Sequence, residues 1–484
     1  MLKEFNGKIL ILGAGAVSQC FQLLLIRHIK TNFSNITIID ASNTAALMAP
    51  LINQGARFIQ QKVTQQNYIE TLSTWLTSGD ILIDLTVNLE TGDLIEWCQY
   101  SGVMYLNSSI EWWDPTGNDH SANLIDETLY VRHLAIHERA RNWPTHGPTA
   151  VVEHGANPGL VSHWTKSALM SITKKIIEIS QDDTRRAQLK EAVDKHDFRS
   201  LAYLTGTKVI HISERDTQIS GNPKQVDQCV NTWSARGLYE EGTAPTEIGW
   251  GTHEKTMPHN AHEPFFGPRN QIFLNEMGMN VLMRSWVPSG DIVGMLIRHG
   301  EAYSLSNYFT LWNNDKALYR PTVHFVYTPS DAAIASLYEL RMRNYTLQPS
   351  LRIMNDDIIS GHDEVGVLLL GHDLNGWWTG SHLSIEQTRS LVGNQNATTL
   401  QVAASLLGAL FWMIDNPRKG FNVPDDLPYA QILSIAEPYL GTTISMQTDW
   451  NPLKNRINAF SKFKHEQIDY TDLWQFSNFR ILFS

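Results

Sequence analysis

A chain of 484 residues, 42% hydrophobic and 18% charged, is long enough for two or three domains and has the composition of an ordinary globular protein. A formal net charge of −11 argues against nucleic acid, which is recognised through basic patches, and three widely spaced cysteines (Cys20, Cys98, Cys229) support neither a disulfide framework nor a zinc knuckle and fit a reducing cytoplasm. No apolar leader opens the chain, and its longest apolar run, near 402–414, falls short of the roughly 20 residues of a membrane span and reads as a buried helix.

The first predicted strand, Lys8–Leu12, breaks on Gly13-Ala14-Gly15-Ala16-Val17-Ser18 and restarts as a helix marked by Phe21, Leu24, Leu25, His28 and Ile29. Such a turn aims the helix's free N–H groups at one spot. Gly13 permits the turn, Gly15 lets a pyrophosphate approach the backbone, and Ala16 and Val17 open the helix. Ser18 stands where the motif has its third glycine, so the fingerprint alone is weak. The next strand, Ile36–Ile39, ends on Asp40, at the spacing where an acid accepts the adenosine ribose hydroxyls and repels a 2′-phosphate. Together these residues predict an NAD site; the competing use of Asp40 is to cap a helix near Ala45.

Strands at Ala56–Ile59, Ile81–Leu85 and Met104–Leu106 continue the alternation, and Thr149–Glu153 reads as the last strand of the block. This predicts an α/β Rossmann-type parallel-sheet domain over 1–153. Glu111, just past the Met104–Leu106 strand, lies on the crevice side of such a sheet, unless it caps the following segment. His154-Gly155-Ala156-Asn157-Pro158-Gly159 then fixes a loop before a helix from Leu160, a place for groups beside the cofactor. Asn157 can serve there as a hydrogen-bonding group or as an ordinary turn residue before proline.

Runs at Val209–Ile212, Val281–Met283, Val293–Ile297, Thr322–Tyr327 and Val365–Leu369 predict an inserted α+β domain with a mostly antiparallel sheet over 154–390. Residues 391–484 return to the first domain through a Gln395–Asp415 helix and end as a tail. Glu240–Asn270, poor in periodicity, reads as a long functional loop or inter-subunit arm. Gly361-His362-Asp363 and Gly371-His372-Asp373 read as the two ends of one strand. Among 18 histidines no spacing completes a catalytic metal site, so no metal is expected.

The Gly13–Val17 turn, Asn107–Trp112, His154–Gly159, Asn231-Thr232-Trp233-Ser234, Glu247-Ile248-Gly249-Trp250-Gly251-Thr252-His253-Glu254 and Ile297-Arg298-His299-Gly300-Glu301 together resemble bacterial homospermidine synthases, over nearly the whole chain. Their wider relatives are the saccharopine and carboxynorspermidine dehydrogenases. The resemblance implies an NAD-dependent condensation of two putrescines to homospermidine with release of ammonia, spermidine being an alternative aminobutyl donor. The reaction is redox-neutral: a hydride leaves the amine carbon, the imine exchanges ammonia for the second diamine, and the hydride returns. It also implies a homodimer.

A flexible dication needs carboxylates for its ends, an aromatic or apolar wall, a dry slot and a base. The resemblance makes Trp233 the aromatic face for the ammonium or iminium, where an interface anchor is the alternative. It places Glu111 and Asn157 near the nicotinamide, and His299 as proton shuttle, though a structural histidine has the same appearance. Glu214, Glu241 and Glu301 become the diamine carboxylates; Glu214 and Glu241 could equally be solvated surface acids. Asp363 and Asp373 have a weaker claim as acids at the pocket mouth. These residues include no arginine cluster, which favours a diamine over an amino-acid substrate in a saccharopine-type imine reductase. A non-enzymatic NAD-binding sensor on the same fold is the other alternative.

Overall fold

Ile9–Leu12, Ile36–Asp40, Ile81–Asp84 and Met104–Asn107 are strands buried almost throughout, as the interior of a sheet covered on both faces demands. In the computed structural model, which describes residues 2–113, 123–456 and 468–481, they belong to a seven-stranded parallel sheet. Its order is Phe421–Asn422, Ala150–Val151, Met104–Asn107, Ile81–Asp84, Ile9–Leu12, Ile36–Asp40, Arg57–Gln60. The order reverses beside Ile9–Leu12, so the crevice at that strand's C-terminal end is where a ligand binds. Outside Ala150–Val151, the last strand of the first block, Phe421–Asn422 returns from far down the chain and adds one more. Two residues with no periodicity carry no sequence signal for this.

The second sheet has eleven strands, with Val209–Asp216 and Thr322–Thr328 parallel at its centre and the other pairings antiparallel. On one side of the centre lie His362–Leu370, Gly376–Ser384 and Thr442–Thr448; on the other, Pro245–Gly249, Gln271–Met277 and Ala261–His262. Gly290–Ile297 joins through Thr322–Thr328. The segment 240–270 is therefore not one long arm. Its first part finishes the Ala235–Thr243 helix and supplies the wholly buried Pro245–Gly249 strand. Alternation failed there because both faces of that strand are covered. The loop beyond it is tied to the tail, His253 Nε2 lying 3.0 Å from the Trp474 carbonyl and the Lys255 N–H donating to Gln475 at 2.8 Å.

The two sheets share one core. The Ala397–Asp415 helix packs on the Ala16–His28 helix and also touches Met104–Asn107 and His362–Leu370. Its Leu400, Ala403, Ala404, Leu407 and Phe411 are buried in a cluster with Ile11 and Leu24 of one region and Val365 and Val367 of the other. It is the one described helix long and apolar enough to cross a membrane, and 89% of it is buried inside the protein. Three hydroxyl and amide residues at its start, Asn396, Thr398 and Thr399, are also buried and hydrogen-bonded.

Candidate active site

A cavity of 1080 Å³ lies where the C-terminal ends of the parallel strands face the second sheet. One half is built by the glycine turn. Gly13 has φ +89°, and a Cβ there would meet the Leu85 carbonyl at 2.7 Å, so only glycine fits. Gly15 precedes the Ala16–His28 helix without a side-chain cap, and a Cβ on it would touch nothing within 4 Å. That bare helix start, with Ala16 and Val17, opens onto the cavity and suits a pyrophosphate. Ser18 replaces the third glycine without loss, its hydroxyl donating to the Gly13 carbonyl at 2.7 Å. Asp40 caps no helix near Ala45; its two oxygens accept from the Ala14 and Ser42 amides at 2.8 and 2.7 Å. The carboxylate is thereby held on the cavity wall, with lone pairs left for ribose hydroxyls. Thr86, Val87, Asn88, Ser108 and Ser109, from the loops after two other strands, complete this half. Strand ends at a switch point were the available signal for them.

The other half comes from the second sheet. Glu214 and Tyr327 are register partners on the two central parallel strands, and Phe325 precedes Tyr327 on the same face, their rings stacked at 5.4 Å. Trp233 sits in the turn before the Ala235–Thr243 helix, which Ser234 caps by accepting the Gly237 amide at 2.9 Å. The indole lies flat over Gly237, where a Cβ would be 2.7 Å from Cη2. One turn on, the same helix brings Glu240 and Glu241 to the cavity. His299 follows the Gly290–Ile297 strand, and its Nδ1 is 2.5 Å from Glu301 Oε2 at the start of the next helix. Asn157 donates to Glu214 Oε2 at 2.6 Å. Glu111, Asn157, Glu214, Trp233, Glu241 and His299 all line the cavity, together with the glycine turn and Asp40; Glu301 stands behind His299.

The electrostatics are those of buried acids opposed by a few cations, Arg132 beside Glu111 and His299 and Arg298 beside Glu241. Burial pushes Glu111 and Glu241 up to about 7, with neighbouring carboxylates adding to the rise, and pushes Glu214 up in the same way. Burial alone would lower His299, but the Glu301 carboxylate and then Glu241 hold it up at about 9. Glu241 Oε2 and Glu301 Oε1 are buried with no hydrogen-bond partner among the described residues. Asp363 Oδ1 is in the same condition, its other oxygen accepting from Thr398 on the core helix at 2.5 Å. Asp373, by contrast, is away from the site, paired with Arg185 at 2.6 Å on the surface.

Two features were not anticipated. Glu153, at the end of the loop strand, takes φ +55°, is buried against Gly300 and reaches His133 Nε2 at 3.1 Å. Three arginines also line the cavity, where the sequence reading expects none. Arg132 donates to the Ile110 carbonyl at 3.2 Å and stacks on Trp112, Arg298 donates to the Glu127 carbonyl, and Arg236 lies 3.7 Å from Glu240. The Nε groups of Arg132 and Arg298 have no partner among the described residues. Arg298 already stood in the Ile297–Glu301 motif, so the lack of an arginine cluster among the singled-out residues was no evidence about the substrate.

Comparison with known proteins agrees with this geometry. Residues 9–151 match the family described as Saccharopine dehydrogenase NADP binding domain, and residues 155–446 match the Saccharopine dehydrogenase C-terminal domain. The homospermidine synthase of Mesorhizobium japonicum is 36% identical over 482 residues, covering 98% of this chain and 96% of that protein. The homospermidine synthase of Blastochloris viridis is 37% identical over 481 residues, covering 98% and 97%. The crystal structure of the Legionella pneumophila homospermidine synthase, in complex with NAD, is 37% identical and superposes with a TM-score of 0.89 over 100% of this chain and 99% of that one.

Proposed function

The chain belongs to the homospermidine synthases, and from that premise we propose that this cavity joins two putrescines into homospermidine and ammonia, spermidine serving as a second donor. The observation that carries the reading is the partnerless acidic oxygen of Glu241, in the same cavity as Trp233 and the glycine turn. An ionised carboxylate accepts hydrogen bonds, and a diammonium chain supplies a donor at each end.

The bound dinucleotide supplies hydride acceptance and return. Glu241 and Glu214 hold the ammonium ends, and Asn157 orients Glu214. Trp233, with Phe325 and Tyr327, walls the methylenes and excludes water, which would hydrolyse an imine. Glu301 on Nδ1 fixes the His299 tautomer, leaving Nε2 to exchange a proton at the reacting amine. Glu111, poised at about 7, takes the proton that an ammonium must lose before its carbon can give up a hydride.

Putrescine and NAD+ given to the protein should yield homospermidine and ammonia in equal amounts with no net NADH. Steady NADH accumulation without a condensed product would overturn this. The cavity arginines favour one second reading, reductive coupling of an amino acid with a carbonyl compound through an imine, and NADH consumption in the presence of both would reveal it. The proposal includes a cytoplasmic homodimer, in keeping with three buried free thiols and with Phe265, a ring 82% exposed on the loop after Pro245–Gly249. Light scattering reads the mass.

A further inference from the structure

One strand away from the cavity, and on the opposite face, a second cluster stands outside the chemistry above. His362 and Glu364 alternate on the His362–Leu370 strand and so share a face, while Asp363 between them turns to Thr398 and the core helix. His382 is the direct cross-strand partner of Glu364 on the neighbouring Gly376–Ser384 strand. Three ligand-type side chains thus project from two adjacent strands whose register is fixed over nine residue pairs.

The two imidazole rings stack with centroids 4.3 Å apart and planes 27° from parallel, so both rings must turn for their nitrogens to meet one ion. His382 Nδ1 is 3.1 Å from Glu364 Oε1, an ordinary contact. His362 Nε2 is 3.7 Å from Glu364 Oε2, too long for a hydrogen bond, and this buried nitrogen has no other partner among the described residues. One ligand atom from each residue fits within a 4.8 Å span. Bonds of 2.0–2.2 Å in a tetrahedron put ligand atoms about 3.3 Å apart, between the two separations found here. Ser289 donates to Glu364 Oε2, the outer contact that orients a ligating carboxylate. Arg215, which pairs with Glu364 in the sheet, directs its guanidinium to Ser289 Oγ at 3.4 Å and leaves the carboxylate to the imidazoles. The two rings are 26% and 32% exposed, so an ion has a way in, while Glu364 is 1% exposed and has few other conformations open to it.

We propose that His362, Glu364 and His382 form a divalent transition-metal site of the zinc class, with three protein ligands and an open fourth position, separate from the diamine cavity. Imidazole nitrogen with a single carboxylate is a donor set for zinc and its neighbours, and a poor one for magnesium or calcium. A metal there would tie together the two strands next to Asp363 and act on stability.

The test uses the full chain, stripped with chelator and titrated with zinc, with cobalt as the spectroscopic probe. One zinc per chain, a raised thermal midpoint, and the visible absorption of tetrahedral cobalt in the unaltered protein are expected. Glu364→Gln and His382→Gln should each weaken zinc at least about tenfold, while the control pair His259→Ala and His262→Ala leaves it unchanged. His362→Gln should do the same as His382→Gln with the circular dichroism spectrum retained. No zinc uptake, uptake unaffected by these variants, or an octahedral cobalt spectrum would each overturn the site.

Discussion

In the proposed reaction Trp233 meets a cation with a ring face, and a face in a dry pocket is worth about 2 kcal/mol. Trp233→Ala should therefore lower turnover about 30-fold with NAD affinity unchanged, and Trp233→Phe should recover part of the loss; parallel loss of NAD binding would point to a collapsed pocket. The acids make a second, independent statement. Glu111 and Glu241 stand near 7 because burial favours their neutral forms, and a bound diammonium reverses that preference. Putrescine binding at pH 7 should thus release protons, read by calorimetry in buffers of different ionisation enthalpy, and Glu241→Gln should reduce the number released. His299 adds stability in the opposite protonation sense. Its folded value of about 9 exceeds the unfolded one near 6.5, so its contribution is complete below about 6.5 and lost as pH rises through about 9. The ligand-free protein should lose thermal stability between pH 7 and 9, and His299→Gln should flatten that slope.

At the scale of elements, the site depends on short turns that present residues at strand ends. The Ala235–Thr243 helix carries Trp233 before it, Gly237 under the indole, and Glu241 one turn later. Gly237→Ala should push the ring away and cut turnover while NAD binding and unfolding temperature change little, a split readable from kcat against cofactor titration. Gly300 plays the same part for Glu153, whose carboxylate a Cβ there would meet at 2.5 Å. Much of this was legible. The glycine turn with Asp40 is a local pattern of its own, and Trp233 and the His299–Glu301 pair were singled out through motifs shared with a family; all of them meet at the cavity or directly behind it. Glu153, Arg132 and Tyr327 carry no such signal, because their membership of the cavity depends on which strand packs against which loop, and no local pattern encodes that.

For the whole molecule, the sequence told the sheet types apart by spacing: short strand–helix alternation marks the parallel sheet, and strand runs separated by Gly-, Pro- and Asn-rich loops mark the mixed one. It missed the Phe421–Asn422 addition and the buried Pro245–Gly249 strand, where a two-residue run and a doubly covered strand leave no period to read. The core helix Ala397–Asp415 joins both sheets, so a chain cut before Ala397 should neither bind NAD nor show cooperative unfolding by circular dichroism. Retained NAD binding by residues 1–396 would show that the first sheet stands alone.

That same late strand has a bearing on synthesis. A nascent chain emerging from the ribosome completes Ala150–Val151 long before Phe421–Asn422 exists, an interval of roughly 15 to 50 s at ordinary elongation rates. Throughout it the first sheet offers an unpaired border to any passing polypeptide, so translation speed across the middle of the message, and chaperone supply during it, should govern how much of the protein reaches its native form.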